Sequence, residues 1–235
     1  IWSMNLLSGV ESKSFRTFTF FTFAVLIILA LLVSIFSNKY RVSNINYDYE
    51  LNLNYEGLKG IEKLSIWLVS DDNFEKFYLD NPNVESLEIS KQLPNVVNIN
   101  INLYQKIIVY TDFRDTSPVQ RVLYKNLYTT DATSEEDLAH LVITNGPIVD
   151  GFYSEIVSFI LTVGKYEVDL SEVSMTFDGD NLEINYLDTI IDAGKAVDLS
   201  RKGTVVGYIL EKGDCKGSVT ILQSSGEDIE TLFKC

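Results

Sequence analysis

The chain holds 235 residues, of which 46% are hydrophobic and 22% charged, which is ample for a packed core and excludes wholesale disorder. Its 33 acidic against 19 basic side chains leave a net charge of -14. That balance argues against a nucleic-acid binder, which needs a basic face, and against headgroup docking through a polybasic patch.

The charge is uneven along the chain. Residues 1–41 carry Lys13, Arg16, Lys39 and Arg41 against Glu11, a net of +3, and the remaining 15 bases and 32 acids give residues 42–235 a net of -17. Between Arg16 and Lys39 lie 22 residues without a charge, enough for a helix across a hydrocarbon layer of roughly 30 Å. A cleavable signal peptide has a shorter apolar core ending at a small-x-small site, whereas this segment exits through Ser34-Ile35-Phe36-Ser37. An uncleaved signal anchor is therefore expected. Basic residues tie at two on each side, and the acidic body fits translocation, so residues 1–16 are expected to be a cytoplasmic tail and the body extracytoplasmic. The first residue is Ile1 and not Met, and whether this tail is complete or truncated is left open.

After the anchor, Tyr40–Tyr55 alternates apolar and polar residues and reads as a half-buried strand. Tyr55–Leu64 places Leu58, Ile61 and Leu64 on one helical face, weakened by Gly57 and Gly60. A second helix is predicted over Asp71–Leu79, capped by Asp71 or Asp72. Asn81-Pro82-Asn83 and Leu93-Pro94-Asn95 are turns, and Val96–Leu103 alternates Val97, Ile99, Ile101 and Leu103 with three asparagines, the clearest strand in the chain.

From Ile107 the pattern turns strand-rich: Ile107–Phe113, Val119–Lys125, Leu141–Thr144, Val168–Phe177, Leu182–Ile191 and Gly217–Leu222, with Asp178-Gly179-Asp180 as a hairpin turn. Helices are predicted over Gly151–Val163 and over Ser200–Lys212 with Ser200 as N-cap. Thr130–Asp137 reads as an acidic surface loop. The fold class is thus α+β: one N-terminal transmembrane helix, a β-α-α-β-β unit, then a mixed β domain with two helices.

Little in the chain carries catalytic chemistry. His140 is the single histidine and reads as a partly buried surface residue. A sortase-like pairing of His140 with Cys215 lacks an arginine after the cysteine, the last being Arg201. No Ser-Met-x-Pro seat for a signal-peptidase nucleophile follows the span. An EF-hand loop from Asp178 would put Glu183 where glycine belongs and Thr189 where glutamate belongs. No Gly-rich dinucleotide or phosphate loop occurs. No catalytic, metal or cofactor site is expected. Cys215 and Cys235 are too few for a disulfide scaffold, and whether they pair is left open.

What remains is binding. A C-terminal strand at Gly217–Leu222 that ends its sheet offers unpaired backbone groups to a partner strand. The alternative turns Val219 and Ile221 inward, with Glu227–Phe233 capping the edge.

One stretch, Asn81-Pro82-Asn83-Val84 through Lys91-Gln92-Leu93-Pro94 to Val96–Ile101, together with the single preceding span, resembles the bacterial cell-division proteins FtsQ and DivIB. Ile191–Leu199 resembles that family's glycine-punctuated strand pair, and Gly217–Gly226 its terminal strand and Ser-Gly turn. The chain departs from the family in its acidic body and at Thr220 and Leu222, where many members carry Asp and an aromatic. The resemblance implies a cytoplasmic tail (1–16), a transmembrane helix (17–38), a POTRA domain (39–105) and a β domain (106–235) with a partner-binding last strand. It implies a non-catalytic, single-span scaffold at the division septum that recruits FtsB/DivIC-like and FtsL-like coiled-coil proteins and acts indirectly on the septal peptidoglycan synthase. Partner contacts are expected at Val219, Ile221, Ser225 and Gly226, with Lys202 and Tyr208 from the preceding helix. A membrane-anchored POTRA-type module of a secretion or envelope-assembly system is the alternative.

Overall fold

The computed structural model describes residues 7–50, 53–114, 117–132, 136–213, 215–223 and 229–235. The chain divides into two compact units between Leu103 and Tyr104. In the first, helix α1 (Leu7–Phe36) contains Thr17–Phe36, a stretch long and apolar enough to cross a membrane and left uncovered by the rest of the chain. Twenty helical residues span about 30 Å, the thickness of a hydrocarbon layer.

The small sheet that follows has strands β1 (Asn44–Tyr47), β2 (Val84–Gln92) and β3 (Val96–Leu103) in the order β1-β3-β2. β1 runs parallel to β3, and β2 antiparallel to it. The alternation of β3 separates two faces. Val97 and Ile99 are buried against Leu58, Ile61, Phe74 and Phe77, while the asparagines bridge the strands on the other face. There Asn46 Nδ2 donates to Asn98 Oδ1 at 2.9 Å, and Asn100 and Asn102 donate to the Glu88 carboxylate.

Three expectations for this unit are corrected. The first strand ends at Tyr47 and not Tyr55, because Tyr47 and Tyr49 both stack on Tyr55, whose hydroxyl accepts from the Glu50 N–H and donates to the Glu50 carbonyl. The helix predicted over Tyr55–Leu64 is a 3₁₀ segment, Tyr55–Ile61. Its Gly57 lies so close to Phe77 that a Cβ would stand 2.6 Å from the Phe77 backbone nitrogen, and two glycines deprive an α-helix of propensity. The Asp71–Leu79 helix resolves into a 3₁₀ turn, Asp71–Phe74, and helix α2 (Glu75–Asp80). It is capped through Ser70, whose N–H donates to Asn73 Oδ1 at 2.8 Å, and not by Asp71 or Asp72.

The second unit is one mixed sheet of nine strands: β4 (Lys106–Asp112), β5 (Gln120–Tyr124), β6 (Thr129–Asp131), β7 (Ala139–Ile143), β8 (Val173–Phe177), β9 (Asn181–Tyr186), β10 (Thr189–Lys195), β11 (Ser218–Gln223) and β12 (Ile229–Lys234). The spatial order is β12-β11-β10-β9-β8-β7-β4-β5-β6. The pairs β4·β7, β7·β8 and β10·β11 are parallel. Helix α3 (Phe152–Val163) crosses from β7 to β8 and α4 (Leu199–Lys212) from β10 to β11, as parallel pairs require. The two helices pack together at Gly203, where a Cβ would sit 3.1 Å from the Phe159 carbonyl oxygen. Their apolar stripes cover one sheet face: Ile156, Phe159 and Ile160 from α3 and Val206, Ile209 and Leu210 from α4 join Leu141, Met175, Ile184, Ile191 and Val219 in one core. A smaller cluster, Val109, Val122 and Tyr124, buries the opposite face of β4 and β5.

Here too the structure revises the sequence reading. Leu182–Ile191 is not one strand but a hairpin, with Tyr186 paired to Thr189 around Leu187 and Asp188. Leu187 adopts φ +50, a left-handed conformation for which its sequence gives no glycine or asparagine signal. Thr129–Asp131 pairs with β5, so the expected acidic loop begins inside a strand; residues 133–135 lie outside those described. Helix α4 starts one residue earlier than predicted, with Asp198 and not Ser200 at the N-cap, and its first N–H, from Leu199, is met by Glu155 Oε2 of α3 at 2.8 Å.

Candidate partner-binding edge

The end of the large sheet is built from β10, α4, β11 and β12. Val219 and Ile221 alternate with Thr220 and Leu222, so β11 turns its branched apolar residues into the core; Val219 is 0% and Ile221 4% exposed. On one side β11 pairs in parallel with β10, Ile191 opposite Val219. On the other it pairs antiparallel with β12 at six positions, from Ser218 opposite Lys234 to Gln223 opposite Ile229. The expectation that Gly217–Leu222 forms the free edge is thereby corrected. Val219 and Ile221 are inward core flanked on both sides, and the chain's own last segment takes the edge.

Three local features fix β12 in place. A disulfide joins Cys215, just before β11, to Cys235, just after β12, so the two cysteines do pair. Gly217 lets the Lys234 carbonyl approach so closely that no Cβ fits there. Thr189 Oγ1 donates to the Cys215 carbonyl at 2.6 Å, tying the bridge to β10. Beyond β12 no further strand pairs among the described residues. Its side chains are mostly accessible: Ile229 and Thr231 are half-buried, whereas Glu230, Leu232, Phe233 and Lys234 are exposed.

Lys202 does not reach the surface. It is buried, and its ammonium donates to the carbonyls of Ala193 at 2.8 Å and Lys195 at 2.6 Å, holding α4 over the end of β10. Burial lowers its pKa below that of a free lysine, opposed by the nearby charges of Asp198, Asp192 and Glu155. Such a lysine shapes the edge from beneath and offers a partner nothing directly. Tyr208 is 57% exposed on α4, with the Lys212 ammonium 5.7 Å from its ring centre. Ser225 and Gly226 lie outside the described residues. Of the residues expected to meet a partner, the structure therefore leaves Tyr208 accessible and buries Val219, Ile221 and Lys202.

The structure matches the alternative reading of the sequence, in which Val219 and Ile221 turn inward and the segment after them caps the edge; the partner residues expected from the sequence do not include that capping strand. The signal was present as Ile229, Thr231 and Phe233 alternating with Glu230 and Lys234, but adjacent Leu232 and Phe233 blur the period.

His140 is exposed on the sheet face away from the helices, between Val109 and Ser174 in register. Among the described residues no three His, Cys, Asp or Glu side chains converge as metal ligands. The most structured ion pair is elsewhere. At the end of β4, Arg114 donates to both carboxylate oxygens of Asp112 at 2.8 and 2.6 Å and to the Gly146 carbonyl at 2.9 Å, and the guanidinium holds that carboxyl below the ordinary carboxylate range. No protein-family model matches the chain, and no curated protein matches it.

Proposed function

We propose that this chain is a non-catalytic, single-span scaffold of the FtsQ/DivIB type. In this reading α1 holds the body on the outer side of the cell membrane at the division septum. The small unit serves as its POTRA domain, and the outer edge of β12 accepts a strand from an FtsB/DivIC-like protein paired with an FtsL-like one. Confinement of both partners to one membrane raises their effective concentration, and the assembly acts on septal peptidoglycan synthesis by recruitment alone.

The observation that carries the reading is a six-residue antiparallel edge strand, stapled by a disulfide and unpaired on its outer side among the described residues. Strand addition to such an edge draws affinity from main-chain hydrogen bonds and specificity from alternate side chains, here including exposed Leu232 and Phe233. The disulfide supports an oxidising, extracytoplasmic location for the body. The β1-β3-β2 order with a parallel β1·β3 pair supports the POTRA reading.

The test is residue-resolved amide exchange on the full chain in lipid nanodiscs, with and without the soluble coiled-coil segment of the partner. The expected result is added protection at alternate amides of Ile229–Lys234. Binding that leaves those amides unchanged would refute the strand-addition mechanism.

A further inference from the structure

Three separate stretches of the first unit meet where the chain leaves α1. Val42 is bonded to Leu64 and Lys63 through backbone pairs of 2.8 and 3.1 Å, and Arg41 forms a bridge with Ser65. Asn95, at the β2–β3 turn, bonds Ser43 through its side chain at 2.7 Å and accepts the Ser43 N–H at 3.1 Å. The backbone of the 3₁₀ turn Ile66–Leu68 comes within 8 Å of α1, Cα to Cα. This end of the small sheet is therefore fixed beside the exit of the helix.

This end also leaves large apolar side chains uncovered. Ile66 is fully buried and anchors its turn in the core, yet the next two residues, Trp67 and Leu68, are 46% and 56% exposed. Leu93, at the tip of the β2–β3 turn, is 53% exposed. Trp67 stands 5.8 Å from Tyr40, ring centre to ring centre, and the Lys39 ammonium lies 5.9 Å from the Tyr40 ring. Lys39, Arg41 and Lys63 are all exposed in a chain whose net charge is -14.

Depth follows from chain length. Three residues separate Phe36, the last of the apolar helix, from Tyr40, and Asn38–Tyr40 form a 3₁₀ turn rising about 2 Å per residue. Tyr40 and Trp67 thus stand within roughly 10 Å of the hydrocarbon boundary, at headgroup level, where Trp and Tyr rings are favoured and Lys stems extend toward phosphate.

We infer that Trp67, Leu68 and Leu93, framed by Tyr40 and Lys39, form a lipid-contact surface that seats the first unit in the interfacial layer of the bilayer α1 crosses. The inference rests on α1 being a membrane span and adds a second, peripheral contact. It gives the first unit a defined face toward the lipid.

The sequence supplies its own probe, since Trp2 and Trp67 are the two tryptophans. The Trp2→Phe variant of the full chain is placed in phosphatidylcholine nanodiscs whose acyl chains are unlabelled or brominated near the headgroup. Trp67 emission is expected to be blue-shifted relative to the urea-unfolded chain and to lose most of its intensity in the brominated discs. Adding Leu68→Glu and Leu93→Glu, both at exposed positions, is expected to reverse the quenching while the chain stays in the disc. Emission that ignores bromine in a chain that co-elutes with the disc overturns the surface and leaves the span intact. Failure to co-elute overturns the span, and the surface with it.

Discussion

Removing the Cys215–Cys235 bridge with the double variant Cys215→Ala/Cys235→Ala should release β12 while leaving the rest of the nine-stranded sheet folded. Ordering the six residues of β12 costs about 9 kcal/mol at roughly 1.5 kcal/mol per residue. Six paired positions on β11 return about 6 kcal/mol at roughly 1 kcal/mol for each ladder bond. The half-buried Ile229 and Thr231 add about 2 kcal/mol of apolar burial, leaving β12 about 1 kcal/mol short of holding its place. A bridge closing a separation of 20 residues contributes about 3 kcal/mol by limiting the undocked chain. β12 is thus docked by about 2 kcal/mol with the bridge and undocked by about 1 kcal/mol without it, so the docked fraction falls from nearly all to roughly one-sixth. The assay is hydrogen exchange on peptides covering β12 and β8–β10. β12 is expected to lose its protection while β8–β10 keep theirs, and partner affinity to weaken about six-fold because only the docked fraction binds. Wild-type protection of β12 in the double variant would show that the ladder alone suffices and that this reasoning fails.

Other substitutions test how the edge and the two cores are held. Lys202→Met should cost about 2 kcal/mol in urea unfolding, because the carbonyls of Ala193 and Lys195 lose a charged donor while the stem volume is kept. Burial lowers the Lys202 pKa in the folded state, so the unfolded chain holds the extra proton and stability rises with pH in the alkaline range below the ordinary lysine pKa; the Met variant should lack that rise. Asp112 shows the opposite charge type. Its carboxyl is depressed by Arg114, so its contribution is present above the ordinary carboxylate range and lost as pH falls through the lowered value. Asp112→Asn should cost about 1–3 kcal/mol at neutral pH and flatten the acid limb of a stability–pH profile. Gly57→Ala should destabilise the small unit by about 2 kcal/mol or more, read as faster proteolysis within residues 39–103, because its Cβ meets the Phe77 backbone, which cannot move aside as a flexible side chain would.

The legible parts of the sequence were those where one physical signal dominates. Twenty-two uncharged residues are readable as a span-length helix because the run is apolar all round and long enough to cross a hydrocarbon layer. β3 was readable because asparagine and branched residues alternate without a break, and α3 because Phe152, Ile156, Phe159, Ile160 and Val163 recur at helical spacing. The failures share a cause: tertiary context overrode local preference. Nothing at Leu187 announces a left-handed turn, so two strands read as one. A lysine in a helix reads as solvated, and only the two carbonyls at the end of β10 make Lys202 a buried strut. The sequence leaves open whether β11 is the edge or is capped by the segment after it, because β12 has a mixed period and follows a polar stretch that resembles a chain end.

Strand addition at the outer side of β12 is tested most directly by a proline scan through Glu230→Pro, Thr231→Pro, Leu232→Pro and Phe233→Pro in the full chain. Proline lacks the N–H and is tolerated in an edge strand only where that N–H faces outward. The scan should split in two. At alternate positions the chain stays folded and loses partner capture, and at the others the β11–β12 ladder itself breaks. A folded variant with proline at an outward-facing position that still captures the coiled-coil partner at wild-type affinity would contradict the account.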